Sequence, residues 1–422
     1  MEDILRKGND MCQRNVKKKV ILFGAGQVAK KKYFLLRDLF QIECFYDNNE
    51  QKCGKFLYNV PIKRWERTQI YIIITTDFWI EIAMQLESVG LELGKNYLPY
   101  YLFDDFNYSS FYYLRKNFLD GKYLDKEMDY TQFLPKKQVA VVYGNCQTVI
   151  LESALMLSRE FNEDYIVIRT PKIWEYNFEP DLICFFLNDI KFWRIIDLFI
   201  YQFVKKGNSF FDGLASDYCI EKLSTRCQRV NITSLYFYGY FPQVEKGNGH
   251  NTIFAHRDKY VDELIERKVS PKDILSILCD EQFIADEEIE NCIADSLMEL
   301  KKRDSFADIK ICDYIEKNYR KEQMFYSPYH PCDKLLKKYI KRIYSYLGLR
   351  WTIKDEEFEM MCCGEQMRMN DIPIYPSVLR KFGFKNCESR YYFNKNYISK
   401  SMTLDFRQCM EIYIESLIEK EC

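Results

Sequence analysis

The sequence predicts an α/β protein in two parts, and three observations carry that expectation. At 422 residues the chain exceeds the usual size of one domain, so two parts, each burying its own core, are expected. Two short apolar runs, Lys19–Phe23 and Val139–Tyr143, each end at a glycine and are followed by a helix-compatible segment, the pattern of a strand entering a helix. Between them, residues 106–137 are polar and aromatic with no clean strand. We therefore place one domain over 1–105, a helical connector over 106–137, and a second domain over 138–422.

In the first part, the run ending at Gly24 continues as Gly24-Ala25-Gly26-Gln27-Val28-Ala29, then a helical segment to Phe40 and a second strand from Ile42 to Asp47. That order reads as a Rossmann-like βαβ unit. Gly24 and Gly26 would allow a tight turn and close approach of a phosphate to the helix starting near Gln27. Asp47 follows about 20 residues on, where such folds place a ribose-binding carboxylate. The candidate nucleotide-binding residues are thus Gly24, Gly26 and Asp47, unless the glycines only shape the turn. A strand over Ile70–Thr75 continues the unit. This stretch resembles the modules attached to bacterial sugar-modifying transferases, which implies a nucleotide or nucleotide-sugar as ligand. Nothing suggests hydride chemistry.

Composition narrows the function. Lys and Arg total 61 against 62 for Asp and Glu, so charge gives no global pull toward nucleic acid or an anionic membrane. The 16 cysteines include no CxxC pair and follow a polar, charged start, so they read as reduced thiols of a cytoplasmic protein. The adjacent Cys362 and Cys363 are too close to each other to build a metal site alone, and no metal is expected. The apolar stretch from Ile190 to Val204 is interrupted by Lys191, Arg194 and Asp197 and is shorter than the ~20 residues a membrane helix needs. It reads as a buried or amphipathic helix.

The second part opens with Gly144-Asn145-Cys146-Gln147 between the strand and a helix beginning near Thr148. A cysteine at such a turn lies at the sheet's edge, where the helix N-terminal field favours its thiolate. Asn145, the amide of Cys146 and Gln147 could donate to an oxyanion or amide. The alternative is a small residue packed beneath a turn. Ser270-Pro271-Lys272-Asp273 is a capping box that starts a helix running to Leu278. Leu336, Ile340, Ile343 and Leu347 form the apolar stripe of another, ending at Gly348. His330 lies in the loop before that second helix.

These motifs resemble the WcbI-type polysaccharide biosynthesis family. The likeness runs from Gly144-Asn145-Cys146-Gln147 through the segment Leu235–Pro242, Tyr260–Ile265, Val269–Asp273 and Ser327–Pro331 to Ile372–Val378, about residues 138–380. It implies coenzyme A or acetyl-coenzyme A as co-substrate, acyl transfer to a nucleotide-linked or lipid-linked sugar of a capsule, and company among other polysaccharide biosynthesis enzymes. Two other readings stay open: a non-catalytic binding component of an assembly complex, and a cysteine-dependent esterase or thioesterase.

Of three histidines, His330 in its Tyr-His-Pro loop is the candidate base, while His250 and His256 belong to a Gly-rich loop. Cys146 either forms an acyl-enzyme or lines the pantetheine pocket. An analogy to serine esterases would place Asn188, after a strand over Leu182–Phe186, as an oxyanion donor. It fails at Ser327, where an aspartate is needed to orient His330, so no triad is assigned. Coenzyme A needs cations for its phosphates, and Lys172, Arg226, Arg257 and Lys259 lie in loop-like stretches that could supply them.

Overall fold

The computed structural model describes residues 19–93, 95–100, 108–109, 137–173, 179–207, 212–244, 256–364, 372–384, 389–391 and 402–418. Most of the connector 106–137, and the loop carrying His250, lie outside them. By compactness the chain divides into two units. One comprises Met1–Val141, Ile166–Pro171 and Glu175–Ile196, and the other Val142–Tyr165, Lys172–Trp174 and Asp197–Cys422.

The first unit holds β1 (Lys19–Phe23), α1 (Gln27–Leu39), β2 (Gln41–Tyr46), β3 (Phe56–Leu57), β4 (Val60–Lys63), β5 (Tyr71–Ile74), α2 (Trp79–Ser88) and β6 (Tyr97–Pro99). These strands form one sheet in the order β3-β4-β2-β1-β5-β6, with β2 and β5 both parallel to β1. Val20, Ile21, Leu22 and Phe23 are fully buried, as are Ile72, Ile73 and Ile74. Such continuous apolar runs are what a parallel strand covered on both faces requires. Strand order reverses between β1 and β5, the point at which open α/β sheets leave a crevice beyond their strand ends.

A four-stranded sheet follows in the order β10-β9-β7-β8. Its strands are β7 (Gln138–Tyr143), β8 (Tyr165–Ile168), β9 (Ile196–Gln202) and β10 (Gln228–Ile232), with β9 and β10 parallel. The intervening helices are α3 (Gln147–Leu157), α4 (Arg159–Asp164), α5 (Pro180–Asn188), α6 (Ile190–Arg194) and α7 (Ser216–Ile220). Helices dominate thereafter: α8 (Lys259–Glu266), α9 (Pro271–Leu278), α10 (Asp286–Phe306) and α11 (Cys312–Asn318) precede the hairpin of β11 (Phe325–Ser327) and β12 (His330–Pro331). The chain continues through α12 (Asp333–Tyr346), α13 (Asp355–Gly364), α14 (Pro376–Phe382), the pair β13 (Ser389–Tyr391) and β14 (Met402–Leu404), and α15 (Phe406–Ile418). The α/β class is as the sequence predicts.

The capping box is formed as expected. Ser270 Oγ accepts from the amide of Asp273 at 3.3 Å, and α9 ends at Leu278. The stripe on α12 buries Leu336, Ile340 and Ile343. Two expectations are corrected. Residues 182–186 are helix, not strand: Pro180 occupies the first turn, and Leu182, Ile183, Phe186 and Leu187 bury one helical face. The 190–204 stretch is not one helix but the short α6, capped by Asp189, followed by β9. Short apolar runs cannot be assigned by periodicity alone, and here the turn at Ile195 separates two different elements. Among the described residues, no helix is long and apolar enough to cross a membrane.

Candidate functional site

The turn from β7 into α3 fixes Cys146. Gly144 is required by space: a Cβ there would lie 2.7 Å from Cγ2 of Thr148 and collide with the side chain of Gln202. That side chain instead accepts a hydrogen bond from the amide of Asn145, at 2.9 Å. Asn145 Oδ1 accepts from the amide of Gln147 (3.0 Å), and Thr148 Oγ1 donates to the Asn145 carbonyl (2.8 Å). Together these bonds tie down the first turn of α3.

Gln147 spends both ends of its amide inside the protein. Nε2 donates to the carbonyls of Leu235 and Tyr329, each at 2.8 Å, while Oε1 accepts from the Leu235 amide and from Nε2 of Gln202. It therefore fastens α3 to two distant loops. Asn145 Nδ2 reaches the Tyr236 hydroxyl at 2.7 Å. Around that hydroxyl stands a group of rings. Tyr236 and Tyr329 meet edge to face at 5.2 Å, Tyr238 and Tyr329 share a hydroxyl–hydroxyl hydrogen bond, and His256 stacks on Tyr329 at 5.3 Å. In the sequence the Leu235–Pro242 segment carries the family likeness but assigns its tyrosines no role. Their alternation, Tyr236 and Tyr238, was the available signal.

The electrostatics differ from expectation. Burial pushes the Cys146 thiol up to about 11, against the opposing pull of the amides of Cys146 and Gln147 and the charge of Lys172. The expected thiolate is thus corrected: desolvation outweighs the helix terminus. Burial also pushes the Tyr236 hydroxyl up to about 12 despite the bond from Asn145. His330 is buried on β12, its Nδ1 has no hydrogen-bond partner among the described residues, and desolvation lowers its pKa to about 4. It is neutral at pH 7. Ser327, in the position where the esterase analogy wants an aspartate, is fully buried and accepts from the Tyr329 amide at 3.4 Å.

Of the remaining candidates, Lys172 acts on the Cys146 thiol through its charge, while the others are engaged by other groups or exposed. Asn188 closes α5 with its amide bonded to the Cys184 carbonyl, and the neighbouring Asp189 accepts from the Tyr108 hydroxyl and the Phe192 amide. Lys172 is buried and ion-paired to Glu152 at 2.5 Å. Arg257 pairs with Asp262 and Lys259 with Glu288, while Arg226 is exposed.

In the first unit, a cavity of about 520 Å³ opens where strand order reverses, lined by Gly24, Gly26, Gln27, Asp47, Thr75 and Phe78 among others. Gly24 adopts φ +110°, and a Cβ there would meet the Thr75 carbonyl at 2.8 Å. At Gly26 nothing lies within 4 Å, so the start of α1 stays open to approach. Asp47 is turned inward. Its Oδ2 accepts from the Ala25 amide and Lys52 Nζ, both at 2.9 Å, and Oδ1 from the Asn49 amide. Burial would raise this carboxyl, but those bonds hold it below the usual range.

The Cys146 site defines an α/β protein whose strand β7 ends in a half-buried cysteine beside the Asn145–Tyr236 pair. The chain belongs to the family of the polysaccharide biosynthesis enzyme WcbI, whose model matches residues 139–352. A solved WcbI structure, described as the native polysaccharide biosynthesis enzyme without a disulfide bond between coenzyme A and one of its cysteines, shares the fold. The TM-score is 0.52 at 18% identity, covering 67% of this chain and 91% of that one. No curated protein matches the chain.

Proposed function

We propose that residues 138–422 bind coenzyme A or acetyl-coenzyme A with the thiol end at Cys146, and transfer the acyl group to a sugar hydroxyl in polysaccharide biosynthesis. One observation carries this reading: Cys146 opens the WcbI-matched region at a glycine turn, with its sulfur facing the amides at the start of α3. The similar WcbI structure is of the native protein without a disulfide bond between coenzyme A and one of its cysteines. A thiol at Cys146 suits the same neighbourhood.

A thiol held near 11 is protonated at neutral pH, which favours the pocket-lining role over a covalent acyl-enzyme. In the direct route the sugar hydroxyl attacks the thioester carbonyl, the C–O bond forms as the C–S bond breaks, and the hydroxyl proton passes to neutral His330. Coenzyme A leaves as its thiolate.

Residues 1–105 read as the partner module for a nucleotide or nucleotide-sugar, with Gly24 and Gly26 exposing the α1 N-terminus to a phosphate. Asp47 supports the turn through Ala25 and lines the same cavity, beside which a ribose would lie. We place the protein in the cytoplasm, where acetyl-coenzyme A and nucleotide-sugars are available.

The test is turnover of acetyl-coenzyme A with a panel of sugar acceptors by the full chain, together with mass spectrometry of the protein. Acceptor-dependent release of coenzyme A supports the reading, and a stable acetyl adduct on Cys146 would replace the direct route by the covalent one. Release without an acceptor would make the protein a thioesterase.

A further inference from the structure

The Cys146 neighbourhood contains a cation that the acyl-transfer reading leaves unused. Arg303 lies in the last turn of α10, where Nη2 donates to the Tyr236 carbonyl at 3.1 Å and the guanidinium sits 5.1 Å from the centre of the Tyr236 ring. Among the described residues, Nε is buried without a hydrogen-bond partner and Arg303 forms no ion pair. The nearby acids do not neutralise it. Asp304 is turned into the core, accepting from the Thr233 hydroxyl and the amides of Ile311 and Cys312. Glu299, one turn back on α10, adds a favourable field without a bridge.

A guanidinium offers five N–H donors in a planar fork matched to carboxylate and phosphate. Arg303 is half-buried, and burying its Nε edge without an acceptor is unfavourable unless an anion completes the fork. Its placement shows where such an anion would lie. Tyr236 gives its carbonyl and ring to Arg303 and its hydroxyl to Asn145, the residue before Cys146. One tyrosine therefore links the charge to the thiol turn.

We propose that Arg303 is the anion-binding residue of this site, holding a phosphate or carboxylate group of a bound ligand on the donors that Tyr236 leaves unused. The anion comes either from coenzyme A or from an acidic sugar acceptor. The proposal rests on reading the Cys146 turn as a ligand site.

Calorimetry on the full chain with four probes tests it: coenzyme A against pantetheine, which lacks the nucleotide phosphates, and glucose 1-phosphate against glucose. In R303Q, at least one charged probe should bind at least about tenfold more weakly while its uncharged counterpart is unchanged, and R303K should recover part of the loss. The pair that responds identifies the source of the anion. Matching circular dichroism and melting curves for the three proteins establish that folding is intact. The proposal is overturned if R303Q binds both charged probes as wild type does, if it weakens charged and uncharged probes alike, or if wild type binds neither charged probe. Wild-type protein that ignores coenzyme A and pantetheine yet binds glucose 1-phosphate through Arg303 would sink the acyl-donor reading and leave this proposal standing.

Discussion

Gln147 and Tyr329 are 182 positions apart in the chain and joined by a hydrogen bond of 2.8 Å, from Nε2 of the first to the carbonyl of the second. The same side chain also satisfies both backbone groups of Leu235. Gln147→Leu would leave these three buried backbone groups unpaired, and since each costs ~1–3 kcal/mol, a loss of at least about 3 kcal/mol is expected. Urea denaturation measures it. A variant as stable as wild type would mean that water or relaxation replaces the network.

Cys146 should be a slow nucleophile. With the thiol pushed up to about 11, its alkylation by iodoacetamide at pH 8 should be roughly a hundredfold slower than that of a free cysteine of pKa ~8.5. The rate should climb about tenfold per pH unit toward pH 10. Peptide mass spectrometry resolves this site from the other cysteines, and fast labelling at pH 7 would restore the thiolate reading.

His330 should make the fold sensitive to acid. Its folded pKa, about 4, is depressed below the ordinary 6.5, so the unfolded chain takes up the proton first as pH falls. Stability is therefore intact above about pH 6.5 and declines down to about pH 4, by roughly 3 kcal/mol at most. Denaturation curves at stepped pH should be shallower for His330→Gln across that window. Identical slopes would show that other groups govern the acid limb.

Lys172 tests whether a cation serves the fold or the ligand. Lys172 is 5% exposed against Glu152, so Lys172→Met removes the ammonium that neutralises this buried carboxylate and should cost about 3–5 kcal/mol. The double variant Glu152→Gln, Lys172→Met should regain most of that stability. If Lys172→Met instead melts normally and loses coenzyme A affinity, Lys172 belongs to the phosphate site.

The two glycines of the first turn should separate folding from binding. Gly24→Ala meets both a positive φ and the Thr75 carbonyl, so it should lower the melting temperature. Gly26→Val projects into open space at the start of α1 and should leave melting nearly unchanged while weakening nucleotide-sugar binding, read by calorimetry. Unaltered affinity in Gly26→Val would remove that turn from the site.

Local chemistry is what the sequence alone determined. The glycine turns after β1 and β7, the Ser270 cap and the apolar stripe of α12 each depend on residues a few positions apart, whose sterics and periodicity act wherever the segment lies. Cys146 was legible for the same reason, because a cysteine between a glycine and a helix has its position set by the turn. Tertiary structure decided the rest. Whether 182–186 and 196–202 became helix or strand depended on which neighbours buried them, since both are short apolar runs. The thiol pKa, the burial of His330, and the convergence of Gln147, Tyr236, Tyr329 and Arg303 arise from residues up to 182 positions apart. Desolvation and hydrogen-bond satisfaction are properties of an assembled interior, and no window of sequence contains that interior.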